Sequence, residues 1–146
     1  MIRLGSPADA DSIGQVFLRA RDEMTYLPRI PDDVRPRLGG SIAARHEIWV
    51  IEDQGRVMGF AGLSSGWLDH LYVDPMSQGR GFGTMLLERV KELQPEGTRL
   101  WVFQKNVGAR RFYERHDFRL ERLTDGSGNM EHEPDALYAW NPKPAP

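Results

Sequence analysis

Residues 71–90 read LYVDPMSQGRGFGTMLLERV. An apolar run ends in Asp74-Pro75. Gln78 and three alternating glycines follow, and then Phe82, Met85, Leu86 and Val90 fall on one helical face that continues to Leu93. The stretch is a strand, a glycine-rich turn and the opening of a helix over residues 82–93. Successive backbone N–H groups in such a turn form a concave anion site, and the helix start adds its positive dipole end. Glycine permits positive φ and close ligand approach. Residues Gln78 to Gly83 therefore suit a pyrophosphate, and Arg80 offers a further charge. The alternative is a tight loop whose glycines serve close packing.

Two common phosphate motifs do not fit. A P-loop needs Lys and then Ser or Thr after its last glycine, and here Thr84 and Met85 follow. A dinucleotide fingerprint needs G-x-G-x-x-G and an acidic residue at the end of a second parallel strand. The spacing here is G-x-G-x-G, and Glu96 lies in a turn.

Outward from this stretch, the pattern predicts strands at 2–4, 47–53, 56–64 and 67–73 and, beyond the glycine helix, at 100–104, 118–123 and 136–140. Ser6-Pro7 suits a helix start, and Ile13, Val16, Phe17, Ala20 and Met24 predict an amphipathic helix over 8–24. Residues 107–116 predict another. TYLPRIPDDVRPRLGG, with three prolines and two glycines, reads as a loop with at most one short helix after Pro31. The order is β-α-(α)-β-β-β-α-β-α-β-β, a single α/β domain on a mixed sheet over 1–140. The tail 141–146 is expected to be disordered.

The chain has 146 residues, 40% hydrophobic and 27% charged, with a net charge of −2. Such near-balance gives no support to a general nucleic-acid or membrane-surface binder. With no cysteine, a disulfide scaffold, a Cys nucleophile and a thiolate metal site are excluded. The N-terminus lacks an apolar signal-peptide core, and no run approaches a membrane span, so a cytoplasmic protein is expected. His46, His70, His116 and His132 show no metal-ligand spacing, and no metal is expected.

Gln78-x-x-Gly81-x-Gly83, after an apolar strand ending in Asp-Pro, resembles the central motif of the GNAT N-acetyltransferase superfamily. NVGARRFYERHDF resembles that family's next motif through Asn106, Phe112, Tyr113, Glu114 and Phe118. The element order matches along nearly the whole chain. Asp117 departs, since the family often has Gly there. Tyr-Leu-Pro at 26–28 and the segment DGSGNMEHEPDALYAW look like a bacterial single-domain subgroup.

The resemblance implies a mixed sheet of about six to seven strands flanked by helices. It implies acetyl transfer from acetyl-CoA to a primary amine of an unidentified acceptor, by direct attack in a ternary complex. The strands at 67–73 and 100–104 would splay, and the pantetheine arm would pair with the backbone of Leu71, Tyr72 and Val73. A backbone N–H of that strand would polarise the thioester carbonyl. The amides of Gly79, Arg80, Gly81, Phe82, Gly83 and Thr84 would hold the pyrophosphate, with Gln78 and Asn106 beside them. Tyr113, two helical turns after Asn106, would protonate the departing sulfur. As a plain residue, Tyr113 equally reads as core aromatic, and Asn106 as an N-cap.

The general base is open. The strand position where some relatives carry Glu holds Trp101 here. His70 has a suitable intrinsic pKa. Asp69, Glu131 and a water chain are alternatives, and strict alternation would put Asp69 and His70 on opposite faces. Tyr26, Tyr138 and Trp140 offer an aromatic wall for a small-molecule or peptide amine, or else seal a core or a dimer contact. A homodimer is common in such families. The rival from another class is a non-catalytic acetyl-CoA-binding regulator of the same fold. GLSSG at 62–66 matches a nucleophile elbow, but a strand rather than a helix follows, so Ser64 reads as a turn residue.

Overall fold

The computed structural model describes residues 1–142. Of the tail expected to be disordered, residues 143–146 lie outside the described residues. The elements in chain order are β1 (Ile2–Leu4), α1 (Ala10–Asp22), α2 (Leu38–Arg45), β2 (Glu47–Asp53), β3 (Arg56–Ser64), β4 (Trp67–Val73), α3 (Phe82–Leu93), β5 (Thr98–Phe103), α4 (Val107–Arg115), β6 (Arg119–Leu123) and β7 (Asp135–Trp140). They build one seven-stranded sheet of order β1-β2-β3-β4-β5-β7-β6. Every neighbouring pair is antiparallel except β4–β5.

Each face of the sheet carries its own core. On one face, Ile13 and Val16 of α1 and Ile42 of α2 pack on Ile48, Val50 and Phe60. On the other, Leu86, Leu87 and Val90 of α3 and Tyr113 of α4 pack with Leu68, Leu100 and Tyr138. The 3.6-residue period of the helices thus meets a sheet covered on both sides. Among the described residues no helix is long and apolar enough to cross a membrane.

The helix expected over 8–24 is shorter. Pro7–Asp9 form a 3₁₀ turn, and α1 follows from Ala10. A larger difference is α2, which begins at Leu38 and takes in Gly39 and Gly40 where the sequence reads as loop. The reason is packing. A Cβ on Gly39 would stand 1.8 Å from the Ala10 carbonyl oxygen and 2.9 Å from the Gly14 nitrogen. The two helices therefore cross with their backbones in contact, and only glycine fits. Gly40, one position on, would bring a Cβ into open space.

This contrast sets opposite outcomes for neighbouring substitutions. Gly39→Ala should destabilise by about 3 kcal/mol or more, because the clash is with backbone. Gly40→Ala should stabilise by about 0.5–1 kcal/mol, the helix-propensity difference. Urea unfolding midpoints of the two variants check both signs. Asp117 offers a third test. It stands just past α4 with φ +69°, and the Phe118 N–H closes back on the Tyr113 carbonyl at 3.0 Å. Asp117→Gly should raise stability by about 1 kcal/mol, read as a rise in Tm of about 3 °C.

Candidate active site

β4 and β5 pair at a single position, Trp67 with Arg99. Beyond it β5 follows β7 along its whole length, from Thr98–Trp140 to Phe103–Asp135. β4 stays with β3 as far as Gly59–Val73. The C-terminal half of β4 therefore turns backbone N–H and C=O groups toward β5 with no sheet partner on that side. Such groups need partners. A cleft of about 810 Å³ opens at this point. Its floor is Leu71, Tyr72 and Val73, one wall is the glycine turn with the start of α3, and the other is α4 from Asn106 to Tyr113. Ala20 and Met24 of the α1 end, together with Tyr26, close its rim.

At two of its three glycines the turn excludes close packing as the reason for glycine. Gly79 and Gly81 have φ of +84° and +82°, and a Cβ at either would meet nothing within 4 Å. Close packing does not require these glycines. The backbone conformation does, and the space above them is open. Gly81 caps α3 in the left-handed conformation. The turn is anchored from below: buried Asp74 accepts from the Met76 N–H at 3.0 Å and from the Arg19 guanidinium of α1 at 2.6 Å. Gln78 lies back toward the Val73 carbonyl, 3.4 Å away. Thr84 Oγ1 is 3.2 Å from His116 Nε2. His116 Nδ1 faces the Phe112 carbonyl at 2.8 Å and so carries the proton there, which makes the Thr84 hydroxyl the donor to Nε2 in the neutral ring.

Arg80 does not line the cleft. Its guanidinium holds Asp53 at 2.7 Å and stacks over the Phe82 ring at 4.7 Å. The positive character at the turn comes from amides and the helix end. The cleft's side-chain cations are Lys105 and Arg115, which sequence reasoning missed. Their signal was adjacency, one residue before Asn106 and two after Tyr113.

Asn106 caps α4, its Oδ1 accepting the Ala109 N–H at 3.2 Å, and it also lines the cleft. Tyr113 follows two turns later and is 8% exposed. Its hydroxyl has no hydrogen-bond partner among the described residues. Burial pushes the Tyr113 phenol far above the usual tyrosine range, and Tyr72 adds to the rise. Tyr72 itself is pushed up to about 12, first by loss of hydration; Arg21 opposes the rise, while Glu131 and Tyr26 add to it. Both phenols keep their protons at neutral pH and so remain available as donors.

His70 is packed on the α1 face of β4, two residues before Tyr72, against Phe17, Phe60 and His46, with ring centroids 5.9, 6.3 and 4.8 Å away. It does not line the cleft, and burial first and then His46 lower its pKa to about 4. Asp69 does not lie on the opposite face, as alternation would have it. A register shift between Gly62 and Leu63 bulges β4, and Asp69 and His70 both reach His46, with His46 Nε2 3.5 Å from Asp69 Oδ2. Ser64 donates to Asp69 at 2.5 Å at the mouth of the β3–β4 hairpin, so the elbow geometry is absent there.

Tyr138 is wholly buried. Its hydroxyl donates to Glu114 at 2.6 Å and accepts from Arg110 at 3.1 Å, which ties β7 to α4 and leaves nothing for a substrate. Trp140 pairs with Thr98 at the opposite end of β5 from the cleft, and Lys91 sits 5.1 Å over its ring. The antiparallel register makes the first residues of β7, not the last, the ones near the site. Tyr26 alone of the three aromatics stands at the cleft, edge-on to Phe103 at 6.1 Å. Glu131 lines a neighbouring cavity of about 590 Å³ together with Trp101, Phe103 and Arg122.

Residues 44–120, more than half of the chain, match the sequence profile of the acetyltransferase (GNAT) domain. The chain belongs to the GNAT acetyltransferase family. It is 32% identical over 108 residues to the peptidyl-lysine N-acetyltransferase YiaC of Escherichia coli, covering 73% of this chain and 68% of YiaC. The apo form of YjaB from Escherichia coli shares the fold with a TM-score of 0.77 at 22% identity, over 96% of both chains. So does YncA from Salmonella typhimurium, whose structure holds its cofactor acetyl-CoA, with a TM-score of 0.72 at 19% identity over 100% of this chain and 96% of that one. This GNAT chain is thus an acetyltransferase on the expected mixed sheet.

The placement of His70 has a consequence for pH dependence. A group with a pKa of about 4 is already neutral throughout the range in which amines are acetylated. His70→Gln should leave the shape of the kcat/KM profile unchanged between about pH 5.5 and 9. Loss of an acidic limb in that variant would make His70 the titrating base.

Proposed function

We propose that this GNAT enzyme transfers an acetyl group from acetyl-CoA to a primary amine by direct attack, with both substrates bound together. The observation that carries the reading is the unpartnered edge of β4 opening into the same cleft as the unpartnered Tyr113 hydroxyl. When bound, acetyl-CoA supplies an acyl thioester. The residues present suit such a ligand: a free strand edge for an amide-bearing arm, and open space at Gly79 and Gly81 where a pyrophosphate could approach the backbone.

In this reading the backbone of Leu71, Tyr72 and Val73 holds the arm and the acetyl group, and one N–H of that edge receives the developing oxyanion. Amides of residues 79–84 hold the pyrophosphate, with Lys105 and Arg115 adding charge. Asn106 shapes the pocket edge as it caps α4. The acceptor enters past Tyr26. The neutral amine nitrogen attacks the carbonyl carbon; the C–N bond forms and the C–S bond breaks. The nitrogen gives its proton to water in the cleft, and Tyr113 gives its own to the departing sulfur, to be reprotonated from solvent. The raised pKa of Tyr113 keeps that proton in place until a thiolate is there to take it. The peptidyl-lysine activity named for YiaC supplies one acceptor to screen.

Calorimetric titration with acetyl-CoA, with NADH and ATP as controls, tests the cofactor. Saturable binding of acetyl-CoA alone is expected; no binding would reduce the reading to a statement about fold. Tyr113→Phe should then cut kcat by about a hundredfold while the Kd for acetyl-CoA moves less than about threefold. An unchanged kcat would remove Tyr113 as the acid.

A further inference from the structure

The chain carries three lysines against sixteen arginines. Primary amines are therefore rare in it, and the fold gives each described one a different setting. Lys91 is committed to structure: its Nζ donates to the His116 carbonyl at 2.6 Å and lies over the Phe118 and Trp140 rings at 5.8 and 5.1 Å. The amine of Met1 donates to the Glu52 carbonyl at 2.9 Å, beside the edge strand β1. Lys143 lies outside the described residues. Lys105 is the exception, the one primary amine among the described residues that lines the cleft.

Its surroundings suit a nucleophile. Gln104, one residue before, donates from Nε2 to the Thr124 and Asp135 carbonyls at 2.8 and 3.0 Å. Asn106, one residue after, caps α4. The backbone of Lys105 is thus fixed on both sides, while its long stem is 60% exposed and free to swing. The Nζ stands 5.8 Å from the centre of the Tyr26 ring, at the rim past which the acceptor enters. It also stands 3.5 Å from Glu133 Oε2, close enough for an ion pair. That oxygen is buried and has no hydrogen-bond partner, and the Glu133 side chain is 12% exposed. A carboxylate oxygen with free lone pairs beside an amine is placed to take its proton.

We propose that Lys105 is itself an acetyl acceptor: with no external amine in the cleft, the enzyme acetylates its own Lys105 Nζ. The inference rests on the acetyl-transfer reading above and adds a modification site to it. The Lys105 ammonium first yields a proton to Glu133, which passes it to water. The neutral nitrogen attacks the acetyl carbonyl carbon; the C–N bond forms and the C–S bond breaks. Nitrogen yields a second proton by the same route, and the sulfur takes one from Tyr113, which is refilled from solvent. CoA leaves as the thiol, one proton goes to solvent overall, and Lys105 keeps an uncharged acetamide. The charge that Lys105 adds to the cleft is lost, and its ion pair to Glu133 with it. An amine tethered beside the site reacts at high effective concentration, so the step is first order in protein.

The test incubates the full chain with acetyl-CoA and no added amine, and reads intact mass and a peptide map. One acetyl group, about 42 Da, should appear and map to Lys105. Its rate constant should stay the same when the protein is diluted about tenfold. Lys105→Arg, which keeps the charge, should gain no acetyl group. Tyr113→Phe should slow the step about a hundredfold and Glu133→Gln about tenfold or more. A further readout needs no acetyl group: free CoA should protect Lys105 from an amine-directed succinimidyl ester and leave the labelling of Lys91 unchanged. Rates equal to the parent's in both slowed variants would make the acetyl group a product of solution chemistry and overturn the inference. Acetyl spread alike over Lys91 and Lys105, a rate constant that rises with protein concentration, no protection by bound CoA, or acetyl-CoA bound with Lys105 unmodified would each overturn it too. Failure of acetyl-CoA to bind in the calorimetric titration would instead strike the acetyl-transfer reading.

Discussion

The site depends on one break in the sheet: β5 keeps its partner along the whole of one edge and loses it along nearly all of the other. It pairs with β7 at every position from Thr98 to Phe103 and with β4 at one. A parallel pair is slightly less stable per residue than an antiparallel one, and a bulge adds local twist. The bulge in β4 lies just past the single β4–β5 pair, where the strands begin to part. Everything functional is arranged around that parting. α1 covers it on one face, α3 and α4 flank it on the other, and the glycine turn sits at its wide end.

Most of the fold was legible because its elements are locally consistent. Each strand is a short β-rich run, each long helix shows a clear apolar stripe, and the turns carry Gly, Pro or Asp where they should. The start of α2, the optional helix of the expected order, is instructive. Gly39 and Gly40 look like breakers in sequence, but Gly39 is in a helix because two backbones touch there, a tertiary fact with no local trace. Register caused the next group of errors. Period-2 alternation assumes an unbroken strand, so the β4 bulge undid the placement of Asp69 against His70. The antiparallel run of β7 decided between the two readings of Tyr138: it seals the core instead of facing the cleft, and Trp140 stands at the far end of β5.

The parts of the site that were legible are those whose chemistry is in the backbone. Gln78 to Gly83 announce a turn by composition, and Asn106 announces a helix start; both stand at the cleft. Side chains reaching in from other elements left weaker signals. Lys105 and Arg115 look like ordinary surface cations in a chain with 19 of them. The two tyrosines are no plainer: Tyr138 and Tyr113 both read as aromatic residues near a motif, but one hydroxyl is fully bonded and the other faces the cleft unbonded.

The bond from Arg19 to Asp74 reaches further than its place under the turn suggests. Arg19 belongs to the helix whose end borders the cleft, and Asp74 begins the segment that carries the glycine turn. A short charged strut therefore ties the rim of the cleft to its glycine wall. Asp74 is buried and Arg19 half exposed, so the strut is anchored firmly at the turn and open to solvent at the helix. The position of the turn is thereby set by the face of the sheet that α1 covers, across the strand end from the helix the turn opens.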